Sequence, residues 1–203
     1  RYIGEGMNRL AEGVKPALIE NAAKMAGMPV GPLSLQDEVA LDLGVKLLKQ
    51  TRADLGDAYQ PSKTEPILFK MVEEYERFGR KNSKGFYDYP AERGQPKRLW
   101  PELEQFAPDG KFADEQPTAA EIKDRILYAQ ALEAARCMEE KIVHDPREAD
   151  VGSILGWGFA PYTGGTLSYI DTIGAKAFVT RAKELEAAYG DQFKVPALLV
   201  EMA

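Results

Sequence analysis

GPLSLQD occupies residues 31–37 and GTLSYID residues 165–171. Gly, Leu, Ser and Asp hold the same four places in both. Each stretch leaves a Gly/Pro corner, MPVGP (28–32) in one case and FAPYTGG (159–165) in the other. A glycine followed by Pro32 or Thr166 reads as a helix start. Ser34 or Ser168 is placed to accept a free backbone N–H there. Asp37 and Asp171 fall in the first turns, where negative charge meets the positive end of the helix dipole. This structural reading explains both stretches without a duplicated active site, because the two corners differ in sequence.

The match extends in both directions. Upstream, Pro16 and Pro146 each suit a first helical turn, where a missing N–H costs nothing. They stand 130 positions apart, as do Glu20 and Asp150, whereas Gly31/Gly165 and Asp37/Asp171 stand 134 apart. Four extra residues in the second corner account for the difference. Asp145 is the expected N-cap of the second of these helices, and Gly27 the expected stop of the first. Further upstream, Ile3, Met7, Leu10 and Val14 recur at helical spacing. In the second half TAAE (118–121) is a capping box, and the helix to about Glu140 should bury Ile122, Ile126, Ala129 and Cys137. Downstream, residues 34–56 read as one long helix, with Leu35, Val39, Leu43, Val45, Leu47 and Leu48 available to the core. Residues 166–190 read as helix again. EPILFKM (65–71) then matches VPALLVEM (195–202). The first of these opens a helix with Ile67, Met71 and Tyr75 at spacings of four.

Repeated order predicts two similar helical units. The expected division is 1–90, a Pro-rich connector at 91–117, and a second copy at 118–203 that is clipped at its C-terminal end. The chain opens on Arg1 in helix-like sequence, which reads as a piece of something longer.

Composition narrows the function. Of the 203 residues 44% are hydrophobic, enough for a core, and the formal net charge of -6 disfavours nucleic acid and anionic membranes as partners. One cysteine, Cys137, makes no internal disulfide, reads as a buried thiol, and fits a reducing, cytoplasmic setting. No apolar run approaches the ~20 residues of a membrane span, and no signal peptide is visible.

Chemistry is sparse. One His and one Cys signal no metal site. His144, in VHDPREAD, has no nucleophile elbow near it and reads as a surface or capping histidine. GWGFAP (156–161) begins like a dinucleotide fingerprint and lacks the third glycine. Arg77, Arg80, Lys81 and Lys84 read as a solvated basic helix end.

LAEGVKPALIENAAKMAGMPVGPLSLQDEVALDLG (10–44), followed by FGRKNSKGFYDY (78–89), resembles the C-terminal domain of 3-hydroxyacyl-CoA dehydrogenases. The specific parts are Gly27, Pro29, Gly31 and Pro32, then Asp37, then the run from Gly79 to Tyr87. EADVGSILGWGFAPYTGGTLSYIDTIG (148–174) resembles a second copy of that domain, as in the multifunctional fatty-acid oxidation proteins. The resemblance implies an all-α fold: two tandem copies of this helical domain, packed pseudo-symmetrically. It implies an NAD-dependent oxidation of 3-hydroxyacyl-CoA, with proton chemistry by a His–Glu pair. In the family that pair and the NAD site lie in a Rossmann domain that precedes this region, as does a hydratase domain in the multifunctional members. So no catalytic, cofactor-binding or metal residue carries over. What carries over is part of a substrate wall, the apolar corner Met28, Pro29, Val30, Gly31 and Pro32. The implied partners are the Rossmann domain of the same protein, acyl-CoA, and a thiolase subunit. A freestanding helical module that binds a protein or an acyl-CoA without redox chemistry is the alternative reading.

Overall fold

The computed structural model describes residues 1–92 and 95–203. It is built from helices, with a single two-stranded ribbon among the described residues. Two compact units emerge. One comprises Ile3–Asn21 and Val30–Pro117; the other comprises Arg1–Tyr2, Ala22–Pro29 and Thr118–Ala203. Residues 22–29 of the first repeat thus group with the second.

The leading helices are α1 (Tyr2–Ala11) and α2 (Pro16–Met25), with Pro16 opening α2 as expected. In the 3–21/30–117 unit, α3 (Pro32–Val39), α4 (Leu41–Leu55) and the short α5 (Glu65–Phe69) follow, and α5 widens into a π turn at Lys70–Glu74. Strands β1 (Tyr87–Asp88) and β2 (Arg98–Leu99) pair antiparallel, Tyr87 opposite Leu99. Leu10, Ile19, Leu33, Leu41, Met71, Phe86 and Leu103 are the buried apolar residues that anchor these elements.

The other unit holds α6 (Ala119–Glu139), α7 (Pro146–Trp157), α8 (Thr166–Ile173), α9 (Ala175–Tyr189) and α10 (Ala197–Met202). Its core joins Tyr128, Leu132, Ile170, Phe178, Leu185 and Phe193. Tyr128 stacks on Phe178 with centroids 4.2 Å apart, which adds geometric preference to apolar burial. Thr118 caps α6 by accepting the Glu121 N–H at 3.2 Å, and Asp145 caps α7 by accepting from Arg147 at 2.9 Å. The Glu121 carboxylate does not reach back to complete the box. It is engaged by Arg181 and by the Tyr189 hydroxyl.

Two expected long helices are each broken. The span 34–56 divides at Ala40 (φ 77°, ψ 130°), and the span 166–190 divides at Gly174 (φ 88°, ψ 131°). Both halves make the same bend at the same place in the repeat. Periodicity missed it, because α3 and α8 end without a proline and Ala40 is a good helix former. Val39, at the end of α3, and Leu43 and Leu47, on α4, expected in the core, stand exposed, Leu47 by 59%. Cys137 is half-buried rather than buried. Among the described residues no helix is long and apolar enough to cross a membrane.

Candidate functional site

The two helix starts that open the repeats are fastened from outside. Ser34 and Ser168, expected to cap them, accept no first-turn N–H: Ser34 Oγ accepts from Lys97 and Ser168 Oγ donates to Asp150. In the 3–21/30–117 unit, α2 aims Glu20 at the first turn of α3, where Oε1 accepts from Leu33 N–H at 2.8 Å and from Ser34 N–H at 3.4 Å. In the other unit, α7 aims Asp150 at α8, and Oδ1 accepts from Leu167 N–H at 2.7 Å. Asp150 also accepts from Ser168 N–H at 3.2 Å and from the Ser168 hydroxyl at 2.6 Å. A carboxylate at a helix N-terminus satisfies donors that the helix leaves unpaired and meets the positive end of its dipole. The glycine of each corner is there for space. A Cβ on Gly31 would fall 2.4 Å from the Glu20 carboxyl, and one on Gly165 would fall 2.4 Å from Asp150 Cβ.

Around α3 the anchoring goes further. Glu20 Oε2 accepts from the Tyr87 hydroxyl at 2.7 Å. Asp37, only 1% exposed, receives the hairpin: Oδ1 accepts from Phe86 N–H at 2.7 Å, and Oδ2 from Tyr87 N–H at 2.9 Å and from the Tyr89 hydroxyl at 3.0 Å. Lys97 donates to the Ser34 hydroxyl, and its ammonium sits 4.3 Å from the Tyr87 ring centroid. Arg77 locks the turn by donating to the Gly85 carbonyl at 2.7 Å and pairing with Asp88, while its guanidinium lies 4.2 Å from the Trp100 ring centroid. The basic run is therefore not a solvated helix end throughout. Arg77 is buried, Arg80 pairs with Glu38 and Lys81 pairs with Asp42.

Burial sets the electrostatics. It pushes the Glu20 carboxyl above its ordinary value, against the pull of Tyr87, Leu33 and Ser34. It pushes Asp37 up to about 6, opposed by its N–H and hydroxyl donors. Tyr87 and Tyr89 are held above the usual phenol value, first by burial and then by the carboxylates they touch. Beside the hairpin an open cleft of about 420 Å³ is lined by Glu38, Arg80, Ser83, Tyr89, Gln95 and Lys97, among others. These groups position one another. Hydroxyls, amides, carboxylates and cations are present, but among the described residues no activated nucleophile–base pair faces the cleft.

The five corner residues fall as follows. Met28 is buried, with its sulfur 3.9 Å from Gln130 Nε2. Pro29 is exposed and seated over Gly158, where an added Cβ would fall 2.6 Å from Pro29 Cγ. Val30 is half-exposed, and Gly31 and Pro32 are buried. Exposure thus rests with Pro29 and Val30. Glu20, Tyr87, Tyr89 and Lys97, which build the anchoring, were not foreseen as a group. The shared offset of Glu20 and Asp150 signalled the first of them, and the run from Gly79 to Tyr87 contained the second.

His144 lies just ahead of the Asp145 cap, and no group of three metal-ligating side chains occurs among the described residues. NAD, which the resemblance implies, does not fit these residues. Gly156 and Gly158 close helix α7, and the described strands form one antiparallel ribbon rather than a parallel strand–helix unit.

Residues 1–89 match the model of the 3-hydroxyacyl-CoA dehydrogenase C-terminal domain. The whole chain aligns with the fatty acid oxidation complex subunit alpha of Shewanella loihica at 37% identity over 202 residues and with that of Shewanella amazonensis at 35%. The chain spans 28% of the length of these relatives. The fold is shared with the dehydrogenase part of multifunctional enzyme 1 from C. elegans (TM-score 0.70, 21% identity, 100% of this chain and 45% of that one). It is also shared with 3-hydroxybutyryl-CoA dehydrogenase from Escherichia coli K12 (TM-score 0.69, 18% identity, 98% and 57%). Residues 1–89 are thus similar to the 3-hydroxyacyl-CoA dehydrogenase C-terminal domain, and the chain is similar along its full length to part of the alpha subunits of fatty acid oxidation complexes.

Proposed function

We propose that this chain is the helical, substrate-closing part of an NAD-dependent 3-hydroxyacyl-CoA dehydrogenase of fatty-acid β-oxidation. The observation that carries the reading is the anchored corner, in a chain aligned end to end with fatty acid oxidation alpha subunits. Glu20 and Gly31 fix the backbone behind the corner, and Pro29 and Val30 offer apolar surface. A rigid apolar wall suits an acyl chain: burial contributes about 25 cal/mol per Å², and a fixed backbone loses little entropy on binding. Residues 1–90 and 118–203 are the two repeats, with 91–117 as connector, and the second repeat serves as scaffold. NAD and the proton-transfer pair belong to a Rossmann domain of the same polypeptide, and a thiolase subunit is the proposed partner in a cytoplasmic complex. Val30→Asp in the intact polypeptide tests the wall. The KM for 3-hydroxydecanoyl-CoA should rise at least tenfold, with kcat changed less than threefold. An unchanged KM contradicts the proposed wall.

A further inference from the structure

One cation of the Pro-rich stretch 91–117 reaches the start of α3. Lys97, just ahead of β2, donates to the Ser34 hydroxyl in the first turn of α3. Its ammonium lies 4.3 Å from the Tyr87 ring centroid and 5.4 Å from that of Tyr89. The Tyr87 hydroxyl donates to Glu20 Oε2, while Glu20 Oε1 holds the Leu33 and Ser34 N–H groups. Ser34 is therefore gripped twice, at its backbone by Glu20 and at its hydroxyl by Lys97, and it is buried two residues past Pro32. Burial raises the carboxyls of Glu20 and Asp37, and Lys97 is among the groups that pull them back down. The other repeat meets the same need with one side chain. Ser168 gives both its N–H and its hydroxyl to Asp150, at 3.2 and 2.6 Å. The lysine is thus an addition at the corner that the proposed wall uses.

From this double grip we infer that Lys97 is a positioning residue for the acyl-CoA wall. It acts through Ser34 and Tyr87 on the start of α3, and so on Val30, Gly31 and Pro32 immediately before it. An ammonium held between a buried hydroxyl and two aromatic faces favours one geometry of all its partners. Lys97 holds backbone in place and takes no part in the reaction itself. The stretch 91–117 is then more than a link between repeats, because it braces the corner from outside. The inference rests on the proposed dehydrogenase reading and adds to it the residue that keeps the wall in register.

A cycle of substitutions in the intact polypeptide tests it, read as steady-state kinetics with 3-hydroxydecanoyl-CoA. Lys97→Met keeps the stem and removes the ammonium. It should raise KM at least fivefold with kcat changed less than twofold, and Lys97→Arg should keep KM within twofold of the parent. Ser34→Ala should raise KM at least threefold. The double variant should exceed the larger single effect by less than twofold, because both changes remove the same contact. Effects that multiply overturn the inference, as does an unchanged KM in Lys97→Met when Val30→Asp raises it. Should Lys97→Met fail to fold, Ser34→Ala carries the test, and an unchanged KM there overturns the inference. An unchanged KM in Val30→Asp sinks the wall itself, and the inference with it.

Discussion

Three donors converge on Asp37, and two of them are backbone N–H groups in the interior. Truncating it leaves those donors unpaired, at about 1–3 kcal/mol each. Asp37→Ala should therefore lower the stability of its unit by about 2–5 kcal/mol, read from urea unfolding, and Asp37→Asn by less, because one acceptor survives. The pH dependence follows from burial. The Asp37 carboxyl sits at about 6, against an ordinary value of 3.8. Between those values the folded chain keeps a proton that the unfolded chain has released. Stability should thus fall as pH rises from about 4 to about 6 and level off above, as far as Asp37 is concerned. Glu5, buried beside Arg9 and pushed up to about 7, extends the decline. Asp37→Asn should flatten the lower part of the slope in unfolding midpoints measured from pH 4 to 8. A slope unchanged by the substitution contradicts the assignment.

Helix starts and helix bends repeat as elements, and each repeat controls for the other. Asp150→Ala removes the outside cap of α8 and should cost about 1–2 kcal/mol. The bends share one backbone conformation, filled by Ala40 in one unit and by Gly174 in the other. A non-glycine residue there costs of order 1–3 kcal/mol, partly offset by the ~0.5–1 kcal/mol of freedom that glycine loses on folding. Ala40→Gly should stabilise by about 1 kcal/mol and Gly174→Ala should destabilise by a similar amount, both visible as opposite shifts in melting temperature. Equal signs would contradict the shared geometry. These bends also mark the limit of the sequence as a guide. Apolar spacing identifies α1, α2 and α6, and Thr118 and Asp145 announce their helices. A bend at an alanine carries no sequence mark, and periodicity running through it placed Leu43 and Leu47 in a core they do not reach.

Across the whole molecule, the repeat was legible because Gly31/Gly165 and Glu20/Asp150 answer local steric and capping needs that leave few alternatives. The anchoring of the hairpin was not, because Asp37 and Phe86 meet across 49 positions and share no pattern. The five corner residues were legible only as a corner, and of them Pro29 and Val30 are the ones not buried. The described side chains brace one another, and the proposed function places the redox chemistry elsewhere in the polypeptide. The decisive measurement is NADH-linked reduction of acetoacetyl-CoA by the purified 203-residue chain, alone and after addition of the separately produced upstream part of the same polypeptide. No turnover alone and restored turnover on mixing is the predicted result. Turnover by the chain alone, or none after mixing, would contradict the assignment of this chain as the closing part of a dehydrogenase.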